Sequence, residues 1–328
     1  MNSTYLSQSK IFNHLDRVQA WLKGKTCFPI SIQIDPTNKC TRNCLGCSGN
    51  KTVKNAQLSL KFMKGVINQI APFCKGLIFT GGGEPLCNDD TLSAIKYARA
   101  KGLEVGLVTN ADLLNADIAK ELVRHCTYIR ISCNYVGAWN KIKLLVKARN
   151  NQKSVCTIGI GFLTNKERAA HMAETAKIAK KLKVDYVQFR PFHLDTFDAS
   201  DKIAKLKKNL DSATFKVIAT DYKYKEMSDN LKKVKKYPVC FGDNFRTVIA
   251  ADGKLYPDCF TRGLKNFCLG DLQKESFKKI WASEKRKKIF KSKLDISNCP
   301  PMCYHDPLDE LLWNIWQQYK GGKHVNFI

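Results

Sequence analysis

The chain has 328 residues, 44% of them hydrophobic, enough for a barrel-sized domain and a smaller one beside it. Lys and Arg total 55 against 29 Asp and Glu, a formal charge of +26, which disfavours cationic partners and either favours phosphorylated metabolites, nucleic acid or an acidic electron-transfer protein or, being mostly Lys, is simply a solvated surface. No run approaches the roughly 18 apolar residues that cross a membrane, and residues 1–25 lack the apolar segment of a secretory signal, so the expected location is cytoplasmic. Fourteen cysteines in such a chain argue for metal or cluster ligation, not disulfides, wherever they gather.

Residues 1–29 read as a lead-in helix, with Ile11, Leu15, Val18 and Leu22 at helical spacing and Trp21 placed to dock it on the barrel-sized domain. Then a regular alternation begins. Strand-like runs at 31–34, 76–80, 104–109, 128–133, 155–161 and 185–190 alternate with helical patterns at 59–71, 89–101, 116–124, 139–148 and 167–182. Such alternation predicts parallel βαβ units. Six units over 30–195 predict an α/β fold, a partial (β/α)6 TIM-like barrel with its site at the C-terminal ends of the strands. A flat doubly wound sheet has the same periodicity. Residues 196–236 break the pattern and read as a linker of two Lys-rich helices. Residues 237–305 read as a small α+β domain with a β-hairpin, turned at Ala251-Asp252-Gly253-Lys254, and a basic helix over 276–290. An amphipathic helix and tail close the chain at 306–328.

Chemistry gathers first on Asp35-Pro36-Thr37-Asn38-Lys39-Cys40-Thr41-Arg42-Asn43-Cys44-Leu45-Gly46-Cys47. Three thiolates at C-x3-C-x2-C spacing can hold three irons of a [4Fe–4S] cube and leave the fourth iron open for a second molecule. The competing readings are a zinc knuckle and three buried cysteines. Zinc prefers C-x2–4-C pairs closed by two further ligands, and no His or Cys occurs between Cys47 and Cys74. One unit later comes Thr80-Gly81-Gly82-Gly83-Glu84-Pro85, whose glycines permit close backbone approach and whose carboxylate can take an ammonium.

Cys40, Cys44 and Cys47 followed by Gly82-Gly83-Glu84-Pro85 resemble the radical S-adenosylmethionine (SAM) superfamily, and the resemblance covers roughly residues 28–193. It implies that the open iron chelates SAM, and that reductive C–S cleavage gives a 5′-deoxyadenosyl radical which takes a substrate hydrogen. It assigns SAM contacts to Gly46, Gly82, Gly83, Glu84, Asn110, Ser132, Asn134, Gly161 and Arg190. Many relatives carry an aromatic residue where Gly46 stands, so Phe162 or Phe192 is expected to fill that space.

Further on, Cys240 and Cys259 flank the hairpin, and Cys299 and Cys303 form a C-x3-C pair. This arrangement resembles the twitch form of the SPASM domain and implies one auxiliary [4Fe–4S] cluster on these four. Zinc is the alternative occupant. Cys268 is a reserve ligand or a free thiol able to give or take a hydrogen. Tyr135 and His193 are the candidate bases for an oxidation. Cys27, Cys74, Cys87, Cys126, Cys133 and Cys156 have no ligand spacing, and most read as small buried hydrophobes, with Cys87 and Cys133 near strand ends. The implied partners are a small-molecule substrate of anionic character and a flavodoxin or ferredoxin-type electron donor. The expected reaction is oxidation or epimerisation of a sugar, aminocyclitol or nucleotide-like molecule. A ribosomal-peptide maturase is the alternative. Nucleic-acid modification is third, because aromatics and Arg are sparse among the Lys of residues 274–293.

Overall fold

The computed structural model describes residues 7–44, 47, 49, 55–132, 138–192, 195, 197–220, 223–224, 235–292 and 303–323. Its centre is one sheet whose first six strands are the predicted ones: β1 (Ser31–Ile34), β2 (Gly76–Phe79), β3 (Glu104–Thr109), β4 (Tyr128–Ser132), β5 (Thr157–Thr164) and β6 (Tyr186–Pro191). These pair in parallel in chain order. Helices α1 (Leu15–Leu22), α2 (Leu60–Ile70), α3 (Thr91–Ala100), α4 (Ala116–His125), α5 (Trp139–Asn151), α6 (Met172–Lys181) and α7 (Ser200–Leu210) follow the predicted pattern.

Local chemistry sets the boundaries. Ser59 caps α2 by accepting from the Phe62 N–H, and Asn115 caps α4 by accepting from Ile118. On α2 the residues at helical spacing, Met63, Val66, Ile67 and Ile70, are buried against the sheet. Ile32 and Ile34 of β1 are fully buried, each such side chain contributing about 1.5–3 kcal/mol. The alternate residues Ser31 and Gln33 face a cavity instead. A parallel strand with one polar face is unusual, and here that face lines the site.

The sheet runs beyond six strands. Residues 216–219, expected in a Lys-rich helix, form β7 (Lys216–Ala219), parallel to β6. Val217 and Ile218 are buried there, and the Asp211 carboxylate accepts from the Val217 N–H, stopping the preceding helix. At the other edge the hairpin β8 (Arg246–Ile249) and β9 (Lys254–Tyr256), with β10 (Gly270–Asp271), joins the same sheet. β8 pairs in parallel with β1, from Ser31 opposite Arg246 to Ile34 opposite Ile249. The strand order is β10-β9-β8-β1-β2-β3-β4-β5-β6-β7.

The basic helix expected over 276–290 is two, Phe277–Ala282 and Glu284–Ser292. Ser283 divides them, with extended ψ of 149° and its hydroxyl accepting from the Arg286 N–H. Trp21 docks against Phe241 and Phe245, not on the strands of the βα units. A second core of Ile11, Val18, Phe241, Phe245 and Leu312 thus joins the lead-in segment to the C-terminal helix Asp306–Gly321. Cys27, Cys74, Cys126 and Cys156 are buried, Cys87 is half-buried, Cys133 lies outside the described residues, and no described cysteine is in a disulfide. No helix among the described residues is long and apolar enough to cross a membrane.

Candidate active site

Asp35 follows β1, and the chain then enters the cysteine loop. The end of β3 holds that loop. The Asp112 carboxylate accepts from Thr41 Oγ1 at 2.7 Å and Arg42 Nε at 2.8 Å, and Arg42 Nη2 completes a two-pronged pair. Asn110 Nδ2 donates to Thr41 Oγ1 at 2.9 Å and reaches Cys40 Sγ at 3.9 Å. Between them Ala111 is fully buried at a φ of 66°, a left-handed conformation that costs a non-glycine residue about 1–2 kcal/mol. The strained turn aims both neighbours at the loop.

Backbone donors point at the sulfurs. The Arg42 N–H donates to Cys40 Sγ at 3.4 Å, and the Gly49 N–H to Cys47 Sγ at 3.3 Å. Amides aimed at cysteine sulfur suit thiolates that carry a cluster. Cys40, Cys44 and Cys47 all open onto one cavity of about 1310 Å³.

The Gly-rich turn packs under this loop. A Cβ on Gly83 would collide with the Lys39 carbonyl oxygen. The close approach expected for a ligand is made here to the protein's own backbone. Glu84 is 3% exposed, and its carboxylate accepts from Thr109 Oγ1 at 2.6 Å, Asn110 N at 2.7 Å and Leu86 N at 3.2 Å. A carboxylate offers about four acceptor positions. Three are filled, so Glu84 is first of all a brace between the ends of β2 and β3.

A further part of the cavity lining comes from the C-terminal region: Cys259, Phe260, Arg262, Tyr304 and His305. Arg262 crosses to the barrel, donating Nη1 to Asp35 Oδ2 at 2.5 Å and Nε to the Cys259 carbonyl at 2.9 Å. Both members of the ion pair are buried. Gly82 gives its N–H to Asp35 as well. Cys240 Sγ lies 3.7 Å from His305 Nδ1 and 3.5 Å from Asp309 Oδ2. Cys240, Asp243 and His305 present donor atoms within 4.8 Å of one another. Tyr304 lies within electrostatic reach of both Cys259 and Cys303. Burial, aided by Asp258, pushes the Cys259 thiol up to about 11, and burial pushes Cys303 up as well, so a metal entering here displaces protons. Cys240 beside His305, and Cys259 and Cys303 both near Asp258, offer donors of the kind a metal cluster uses.

Among the expected residues, Cys40, Cys44, Cys47, Gly83, Glu84, Asn110, Ser132, Arg190 and Cys259 share the cavity. Gly161 stands between Arg130 and Arg190, with 3.6 Å from its Cβ position to Arg130 Cδ and to Arg190 Nη2. Phe192 faces the cavity. Phe162 does not line the cavity: it is buried in the core and packs edge-on against Phe189. Cys268 is not among the lining residues; its thiol faces the Gly270 carbonyl at 3.7 Å, beside β10 at the sheet edge. Gly46, Asn134, Tyr135, His193 and Cys299 lie outside the described residues. Sequence reasoning missed Asp112, Arg262 and His305. His305 follows Cys303 by two residues, a local signal that was available; Arg262 and Asp35 are 227 residues apart and give none.

Residues 34–151 match the family model of the radical SAM superfamily, and residues 240–305 match that of SPASM, an iron-sulfur cluster-binding domain. A stretch of 112 residues is 33% identical to the AdoMet-dependent heme synthase of Methanosarcina barkeri, covering 34% of this chain and 32% of that protein. A stretch of 91 residues is 28% identical to the PqqA peptide cyclase of Rhodopseudomonas palustris, covering 27% of this chain and 24% of that one. The matches therefore span about a third and a quarter of these relatives' lengths. The fold superposes on Streptococcus suis SuiB, solved bound to its precursor peptide SuiA, with a TM-score of 0.64 at 13% identity, over 88% of this chain and 73% of that one. The likeness to SuiB is one of fold. The cysteine loop after β1 and the dispersed cysteines around the hairpin thus belong to a radical SAM domain and a C-terminal SPASM domain, whose cofactors are S-adenosylmethionine and [4Fe–4S] clusters.

Proposed function

We propose that this protein is an enzyme that cleaves SAM reductively and removes a hydrogen atom from a small polar substrate, with oxidation or epimerisation as the outcome. The observation that carries this reading is the cysteine triplet at the end of β1, its sulfurs open to the cavity and met by backbone donors. Cys40, Cys44 and Cys47 are the ligands in this reading, and the bound cluster and SAM supply one-electron cleavage of the sulfonium and hydrogen abstraction. Arg42, Asn110 and Asp112 hold the loop in register. Gly46, Gly82, Gly83, Ser132, Asn134, Gly161 and Arg190 form the SAM pocket around the strand ends, with Glu84 bracing it. Cys240, Cys259, Cys299 and Cys303 would hold an auxiliary cluster, with His305 beside Cys240. Held by those residues, a cluster would supply a one-electron acceptor for an oxidation. A flavodoxin or ferredoxin-type donor, acidic where this chain is basic, completes the electron path.

A second reading places a peptide in the cavity. Its support is the 28% identity over 91 residues to PqqA peptide cyclase.

The test is anaerobic reconstitution. The holoprotein is expected to carry about eight irons and to release methionine and 5′-deoxyadenosine on reduction. Replacing Cys40, Cys44 and Cys47 together by Ala is expected to leave about four irons and no SAM cleavage. Cleavage that survives the triple change overturns this assignment.

A further inference from the structure

We propose that the cavity below the cysteine loop contains an anion site, in which Arg130 and Arg246 hold a carboxylate or phosphate group of the substrate. The inference deepens the proposed function, because it rests on that cavity being the substrate chamber. Arg130 projects from the middle of β4 and Arg246 from the first residue of β8; both line the cavity. In the sheet β8 and β4 are separated by β1, β2 and β3, so the two guanidinium groups come from different parts of the wall. Both lie within electrostatic reach of Tyr128, which faces the same space.

Neither has an anionic partner among the described residues. Arg130 Nη1 donates to Gln188 Oε1 at 3.4 Å, and its buried Nε has no hydrogen-bond partner among the described residues. Arg246 lays its guanidinium over the Tyr304 ring at 4.7 Å, a contact that occupies its face and leaves its in-plane donors. The carboxylates lining the cavity are engaged elsewhere. Glu84 braces β2 and β3, Asp185 binds Arg149 at 2.6 Å, and Asp211 accepts from Val217. Arg190 and Lys223 add positive charge to the same wall.

Guanidinium groups withdrawn from water without a counter-charge are costly. The planar fork of Arg is matched to the two oxygens of a carboxylate or phosphate. With Arg190 assigned to SAM, Arg130 and Arg246 remain for the substrate. The substrate class narrows accordingly, to acids and phosphate esters and away from neutral sugars and cationic aminocyclitols.

The experiment is calorimetric titration of the reconstituted, SAM-loaded holoprotein at low salt with pyrophosphate and, separately, with citrate. One saturable site is expected, and the better of the two anions says whether it is built for phosphate or carboxylate. Arg130→Gln and Arg246→Gln are each expected to weaken it tenfold or more, as loss of a charge-assisted hydrogen bond does. Arg130→Lys and Arg246→Lys keep the charge without the fork and are expected to fall between, which separates lost recognition from lost folding. Lys278→Gln, on the exposed face of the helix Phe277–Ala282, is expected to leave the isotherm unchanged. No saturable binding of either anion overturns the proposal, as does equal affinity in Arg246→Gln and Lys278→Gln. Wild-type protein that binds the anion but fails to cleave SAM overturns the radical assignment alone and leaves the anion site standing.

Discussion

The two cysteine sets of this chain are delivered in opposite ways. Cys40, Cys44 and Cys47 arrive on one loop, fixed by a clamp from the adjacent strand end. Their sulfurs are held by local contacts and face open space. Cys240, Cys259 and Cys303 come from three places: before β8, beyond β9 and before the C-terminal helix. Their surroundings are complete only when the hairpin and that helix have docked. The first set is a preformed site that can take an incoming molecule. The second is a product of tertiary folding, so in the proposed reading its metal and its fold are thermodynamically linked.

The sharpest way to break this comparison is to remove one dispersed cysteine. Cys240→Ala is expected to lose the C-terminal cluster, about half the iron, whereas Cys268→Ala keeps it. Iron analysis of the two reconstituted variants decides, and equal loss in both returns Cys268 to the ligand set. Next in size is the joint between the halves. Asp35→Asn leaves Arg262 as a buried charge without its counterion and is expected to cost about 3–5 kcal/mol in denaturant unfolding, with Asp35→Asn/Arg262→Met recovering part of it.

Asp112→Ala frees the cysteine loop from its clamp. The expected result is about a tenfold fall in SAM cleavage with iron retained at the C-terminal site. Unchanged cleavage would mean the loop is held by its sulfurs alone. The smallest effect is an acid limit. Burial opposes ionisation of Asp112, but hydrogen bonds from Arg42 and Thr41 outweigh it and hold its carboxyl below the usual value of 3.8. A lowered folded-state value means the stabilisation is complete above the unfolded-state value and is lost as pH falls through the folded one. The difference in thermal midpoint between wild type and Asp112→Asn should be constant above about pH 5 and shrink below 3.8.

The βα units and the cysteine loop were legible in the sequence because their signals are local. Alternating apolar runs mark β1 to β6, and a tight Cys spacing marks the loop. β7 was hidden because Lys216 opens it after a Lys-rich helix, and only Val217 and Ile218 declare it. The insertion of β8 beside β1 was also hidden. A hairpin announces its own turn but not the strand it will dock on. Glu84 shows a third kind of loss: its position was found, but a carboxylate at a strand end looks the same whether it faces a ligand or a neighbouring Thr109 hydroxyl.

The pairing of β8 with β1 has a consequence for biosynthesis. Ser31 and Arg246 are partners in the ladder, 246 − 31 = 215 residues apart. At roughly 5–20 residues per second, β1 waits on the order of 10–40 s after leaving the ribosome before its second neighbour exists. During that interval one edge of β1 is open, bearing the backbone donors and acceptors that invite pairing with a foreign strand. The nascent chain passes through its most association-prone state in that interval, and the last third of the sequence brings it to an end.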